Sequence, residues 1–143
     1  MLVAHVLRQK GSRIVSVKPD DKIAEAAQTL NRERIGAVLV RDGAGDVRGI
    51  LSERDLVRGM ARHGEGVFAM RVRDLMTGQV TVCTPDDTVD HVMAVMTAGR
   101  FRHLPVLRER ELIGVISIGD VVKARIEETE AEARAMRDYI ATG

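Results

Sequence analysis

Apolar positions along this chain switch between two spacings, and the switching runs twice in the same order. Ile14-Val15-Ser16-Val17 is a brief extended run stopped by Pro19. Ile23, Ala26, Ala27 and Leu30 then fall on one face of a helix, with Asp20 or Asp21 placed to cap it. Ala37 to Val40 is the continuous apolar run of a buried strand. Arg41 to Asp46 is a turn by its Gly and Asp content, and Val47 to Leu51 is the next strand. A helix starts at Ser52, carries Leu56, Val57 and Met60, and stops near Gly64. The unit is β-α-β-β-α.

The second pass repeats the plan. Val80-Thr81-Val82 is the strand, and Val89, Val92, Met93 and Met96 form the helix stripe. Leu104 to Leu107 and Leu112 to Ile116 are hairpin strands joined by the charged Arg108-Glu109-Arg110-Glu111. The last helix begins near Ser117 and extends toward Tyr139. Pro19-Asp20-Asp21 and Pro85-Asp86-Asp87 open the two copies. Gly49-Ile50-Leu51-Ser52-Glu53-Arg54-Asp55 returns as Gly114-Val115-Ile116-Ser117-Ile118-Gly119-Asp120. The second copy is one residue shorter between these markers. The expected divisions are a lead-in helix over 1–13, a first repeat over 14–63, a linker with a short helix over 64–79, a second repeat over 80–127 and a helical extension over 128–143. A duplication of this kind predicts an α/β (α+β) fold of two β-α-β-β-α repeats about a pseudo-two-fold axis, with sheets packed on helices.

Composition narrows the picture. A chain of 143 residues is one ordinary domain, long enough to bury roughly 70% of its unfolded surface. Two Phe, one Tyr and no Trp leave the core to aliphatic residues and Met, and argue against a stacking platform for single-stranded nucleic acid. A net charge of +1 gives no electrostatic case for nucleic acid or an anionic membrane. Cys83 is the only cysteine, so no internal disulfide forms; it sits in an apolar strand pattern as a small core residue. Met1 to Lys10 has no apolar run long enough for a signal peptide or membrane span, so the expected compartment is the cytoplasm. No His pair, alone or with Cys83, has metal-ligand spacing, and no metal is expected. Arg34 and Arg100 take matched places at helix C-termini, where the dipole favours a cation. Met76, Met93 and Met96 read as core filler.

The repeated Ser-x-x-Asp has two readings. One is a capping box, with the Ser oxygen accepting a backbone N–H and the acid reaching back to the cap. The other is a nucleoside phosphate site, because each motif follows a strand and opens a helix. Free N–H groups and the helix dipole favour an anion there. A Ser hydroxyl can donate to a phosphate oxygen, and an Asp offers two acceptor oxygens to a vicinal diol such as ribose. Gly49 and Gly114 would let a flat base approach the backbone.

Taken together, these motifs resemble a tandem pair of cystathionine-β-synthase-type (CBS) domains, a Bateman module, over roughly residues 12–127. The residues that carry the resemblance are Val15 to Asp20, Ile35 to Val40 and Gly49 to Asp55, then Val80 to Asp86, Arg102 to Val106 and Gly114 to Asp120. The resemblance implies a non-catalytic regulatory module that binds AMP, ADP, ATP, NAD(H) or S-adenosylmethionine in clefts between the repeats. It assigns ribose to Asp55 and Asp120, phosphate or ribose to Ser52 and Ser117, and phosphates to Arg102 and His103, which can serve the opposite repeat's nucleotide. Lys18, Thr84, Arg54 and Pro105 join the nucleotide-binding candidates. The copies are unequal. Gly36-Ala37 stands where the second copy has Arg102-His103, Leu39 stands at the place of Pro105, and Arg54 is replaced by Gly119. Two unequal sites are therefore expected.

Three classes of function remain at this point. The first is a nucleotide sensor that acts through an unidentified regulated protein. The second is a structural homodimerisation module with non-functional pockets. The third is an enzyme, for which the sequence offers no nucleophile with a matched base. The resemblance also implies a homodimer, a disc of four repeats. Ile126, Ala133, Met136 and Ile140 lie close to helical spacing on the last helix and suit a partner subunit, whereas the acidic surplus there suits a solvated face.

Overall fold

The computed structural model describes residues 1–11 and 13–142. The elements in chain order are α1 (Val3–Lys10), β1 (Ser16–Val17), α2 (Ile23–Glu33), β2 (Ala37–Arg41), β3 (Val47–Ser52) and α3 (Glu53–His63), then α4 (Val72–Leu75), α5 (Val89–Gly99), β4 (His103–Arg108), β5 (Glu111–Ser117) and α6 (Ile118–Thr142). The chain divides into two compact units, Ile14–Thr81 and Met1–Arg13 with Val82–Gly143. It is a mixed α/β fold with two sheets packed on helices.

In the Ile14–Thr81 unit, β1 runs parallel to β2, with Ser16 opposite Leu39 and Val17 opposite Val40. β3 returns antiparallel, with Val38 opposite Leu51 and Val40 opposite Gly49. Ile23, Ala26 and Leu30 from α2 close on Val38, Val40 and Leu51 from the sheet. Burying an aliphatic side chain contributes about 1.5–3 kcal/mol, so these contacts, rather than helix propensity, hold the elements in place. The expected linker is part of this core. Gly64–Ala69 forms a 3-10 turn whose Val67 is buried, and a methyl added to Gly59 of α3 would stand 2.9 Å from Val67 and 2.7 Å from Leu75.

In the other unit, β4 and β5 form an antiparallel hairpin under α5 and α6. Val92, Met96, Leu104, Val106, Ile116 and Val121 make its core. The strand expected over Val80–Val82 does not form. Pro85 opens a turn two residues beyond Cys83, so Cys83 alone exchanges bonds with β4, donating to the Pro105 carbonyl and accepting from Leu107 N–H. The first-copy strand is likewise shorter than expected, at Ser16–Val17. Asp20 and Asp21 do not cap α2. Its cap position is Lys22, with no side-chain bond, and Asp21 instead accepts the Lys18 N–H at 2.9 Å to close the preceding turn. Asp87 does the same for Thr84 at 2.8 Å, while Thr88 caps α5 through His91 N–H. Arg34 and Arg100 end α2 and α5 in the left-handed conformation, with φ of 55° and 58°.

α1 and α4 play the same part in different units. Val3 N–H bonds the Asp87 carbonyl and Ala4 N–H that of Pro85; Val72 N–H bonds Asp21 and Arg73 N–H bonds Pro19. Met1 accepts from Val89 as Met70 accepts from Ile23. Each repeat is therefore completed by a lead-in segment. The second repeat takes the segment that precedes the first, and the first takes the segment that follows it. Nothing in the hydrophobic spacing shows this pairing, which is a long-range choice of backbone partners.

Candidate functional site

Each Ser/Asp pair sits where a strand turns into a helix. Ser52 ends β3 in extended backbone and caps α3. Its Oγ accepts the Asp55 N–H at 3.3 Å, and Asp55 Oδ2 accepts the Ser52 N–H at 2.9 Å and its hydroxyl at 3.0 Å. Ser117 and Asp120 repeat the exchange at the β5–α6 junction, at 3.1 and 2.8 Å. The capping reading is therefore realised in both copies. A reciprocal cap of this kind contributes about 1 kcal/mol through the otherwise orphaned N–H groups.

The copies match in backbone and differ in charge. Gly36 accepts the Glu53 N–H at 2.9 Å, as Arg102 accepts the Ile118 N–H at 2.8 Å. The first copy sets Glu53 against Gly36, its carboxyl carbon 3.7 Å from where a Cβ would stand. The second copy instead has Arg102, with its side chain exposed, and His103, half-buried and opposite Ser117 across the hairpin. It also has a residue that reading the repeats missed. Lys10, from α1, places Nζ 2.6 Å from Asp120 Oδ2 and 2.8 Å from the Val115 carbonyl oxygen. Burial by itself would raise the Asp120 carboxyl, but Lys10 and the Ser117 N–H outweigh it and hold the group below its ordinary value. No spacing signal points to Lys10, because it precedes the duplicated motifs.

At both glycines the Cβ direction is occupied. A methyl on Gly49 would stand 2.7 Å from the Thr77 carbonyl oxygen and 2.9 Å from Met76 Sδ; on Gly114 it would stand 2.8 Å from Leu7 Cδ2. That side of each glycine is filled by the lead-in segment packed on its unit, Met76 and Thr77 at Gly49 and Leu7 at Gly114. Of the other candidates, Arg54 is exposed in the first turn of α3. Pro105 is buried in β4, where its carbonyl holds Cys83. Lys18 and Thr84 are exposed at the two Pro-Asp turns, away from the Ser/Asp junctions in sequence, and their N–H groups bond Asp21 and Asp87. Cys83 is buried, as expected, and burial, followed by the Asp87 charge, pushes its thiol up to about 12. Among the described residues no cluster of His, Cys, Asp and Glu could hold a metal, and no helix is long and apolar enough to cross a membrane.

Strand–Gly–Ser–Asp–helix junctions in duplicate, one on each of two sheet-and-helix units, define a tandem-repeat α/β module. The chain belongs to the CBS domain family, which it matches over residues 6–62 and 72–127. It is 34% identical over 128 residues to a mitochondrial CBS domain-containing protein of Arabidopsis thaliana, covering 87% of this chain but only 62% of that protein's length. A crystal structure of a CBS-domain containing protein from Agrobacterium tumefaciens is 48% identical and superposes with a TM-score of 0.85, over 87% of this chain and 92% of that one. A CBS domain protein from Pyrobaculum aerophilum, crystallised with AMP, shares the fold at 24% identity and a TM-score of 0.74, over 84% of this chain and 89% of that one. A CBS domain pair crystallised with 5′-methylthioadenosine and S-adenosyl-L-methionine shares it at 22% identity and a TM-score of 0.79, over 90% and 98%.

Proposed function

We propose that the chain is a regulatory module that binds an adenine nucleotide through its Ser/Asp junctions and passes the signal to a partner protein, without catalysing a reaction. The observation that carries this reading is the duplicated placement of Ser52–Asp55 and Ser117–Asp120 at helix N-termini. A carboxylate has about four acceptor sites, so capping through Oδ2 leaves capacity for a ribose diol. Ser hydroxyls and helix N–H groups suit phosphate. The AMP, methylthioadenosine and S-adenosylmethionine bound by relatives support adenosine as the ligand class. Within that class the ligand is AMP, ADP, ATP, NAD(H) or S-adenosylmethionine, and the protein works in the cytoplasm as a homodimer.

The sites are unequal in this reading. Asp120 must share its carboxylate with Lys10, at a junction where His103 pairs with Ser117 and the Arg102 carbonyl holds the Ile118 N–H, whereas Asp55 has Glu53 and Arg54 as sequence neighbours. A nucleotide with more negative charge is expected to favour the basic set. A purely structural role has one observation in its favour, since both carboxylates already serve as caps.

Thermal unfolding with each nucleotide separates the two readings. A ligand at a hundred times its Kd stabilises by about 2.7 kcal/mol, several degrees for a chain of this size. The expected result is stabilisation by at least one adenine nucleotide, reduced in Asp55→Asn or Asp120→Asn, with unchanged nucleotide after incubation. No stabilisation by any of them sinks the sensor reading, and turnover sinks the non-catalytic one.

A further inference from the structure

We infer that the C-terminal half of α6 pairs with the same helix of a second copy as a parallel two-stranded coiled coil. This deepens the homodimer reading and is independent of nucleotide binding. From Thr129 to Thr142 every residue is exposed, on all sides of the helix. A helix of that length standing alone in water is marginal, so the fold of its own chain does not account for its stability. The helix also carries an apolar stripe. Val122, Ile126, Thr129, Ala133, Met136 and Ile140 follow one another at alternating four- and three-residue steps, nearly three heptads. Val122 is 44% exposed, Ile126 53%, Met136 61% and Ile140 70%. The opposite face at the start of α6, Val121 and Ala124, is the one buried in the chain's own core.

Charge beside the stripe selects the occupant and its direction. In the heptad set by these six residues, Arg125 and Glu132 fall on one flank, Glu130 and Arg137 on the other. A parallel pair of identical helices brings each residue of the first flank to the residue five further on in its mate. Arg125 then meets Glu130 and Glu132 meets Arg137, and each pairing occurs twice by symmetry. Arg125 already approaches Glu128 at 3.2 Å and Asp90 at 3.5 Å within its own chain, so Glu132–Arg137 is the less encumbered link. An antiparallel pair that keeps the stripe in register centres on residue 131. It sets Glu130 and Glu132 level with their own counterparts, which repel. Thr129 and Ala133 bury little at the middle, so Val122, Ile126, Met136 and Ile140 supply most of the association.

The test uses the full chain. Sedimentation is expected to show a dimer. Met136→Asp is expected to weaken self-association at least about tenfold, about 1.4 kcal/mol, with the far-ultraviolet signal of the two units retained. Glu132→Arg is expected to weaken it, and adding Arg137→Glu to restore it. Met136→Cys under mild oxidation is expected to give a covalent dimer through position 136, because identical positions face each other only in the parallel arrangement. A monomer at every concentration overturns both the coiled coil and the homodimer reading. A dimer indifferent to Met136→Asp and Glu132→Arg overturns the coiled coil alone. Crosslinking of Ile126→Cys to Met136→Cys, without self-crosslinking of either, overturns the parallel direction.

Discussion

Lys10 Nζ lies 2.6 Å from Asp120 Oδ2, whereas the carboxylate of Asp55, the counterpart of Asp120, accepts its two bonds from the N–H and hydroxyl of Ser52. The ammonium comes from α1, which precedes the first repeat's duplicated motifs and is folded with the second repeat. Its consequence is a carboxyl held below the ordinary value in the second copy.

Lys10→Met is therefore expected to move the Asp120 titration upward, measured by carbon-detected NMR. A carboxyl depressed in the folded state contributes stability that is fully present above the ordinary carboxylate range, about 4, and is lost as pH falls through the folded value. The variant should lose less stability between neutral pH and that acid range than the parent chain. An unchanged Asp120 titration would show that the pair is not formed in solution.

Gly49 and Gly114 should differ when each is replaced by Ala. At Gly49 the new methyl meets the Thr77 backbone oxygen at 2.7 Å; at Gly114 it meets the end of the Leu7 side chain at 2.8 Å. Backbone cannot yield as a leucine terminus can. Overpacking costs about 1–3 kcal/mol, and Gly49→Ala is expected near the upper end and Gly114→Ala near the lower. Urea unfolding measures both. Leu7→Ala combined with Gly114→Ala should cost less than the two singly added, since the pair shares one space.

The β4–β5 hairpin turns through Glu109 and Arg110 at φ of 48° and 72°. Both central positions of such a turn need the left-handed region, which Asn-Gly adopts far more readily than Glu-Arg. Replacing Glu109-Arg110 by Asn-Gly is expected to stabilise the chain by about 0.5–1 kcal/mol, seen as a higher urea midpoint at the same slope. A lower midpoint would mean that the side chains removed contribute more than the backbone strain relieved.

Cys83 should be inert while the chain is folded. Its thiol is pushed up to about 12 by burial and then by Asp87, so the thiolate that attacks an alkylating reagent is scarce at pH 8. Labelling with iodoacetamide, followed by mass spectrometry, is expected only after denaturant is added. Labelling of the native chain at the rate of a free thiol would refute the burial.

Period and punctuation in the sequence determined most of the elements. The stripes at Ile23–Leu30 and Val89–Met96, the runs at Ala37–Val40 and Leu104–Leu107, and the duplicated Gly-x-x-Ser-x-x-Asp each fell on the helix, strand or junction expected of them. These are local signals, written in the spacing of neighbours along one element. The Ser/Asp caps were legible for the same reason, since partners three residues apart meet through helix geometry alone. The tertiary structure decided what local spacing leaves open. It placed α1 on the second repeat and α4 on the first, filled the glycine spaces with Leu7 and Met76, reduced a predicted strand to Cys83, and brought Lys10 to Asp120. Each of these depends on residues far apart in the chain competing for one space or one charge, and no window along the sequence contains both partners.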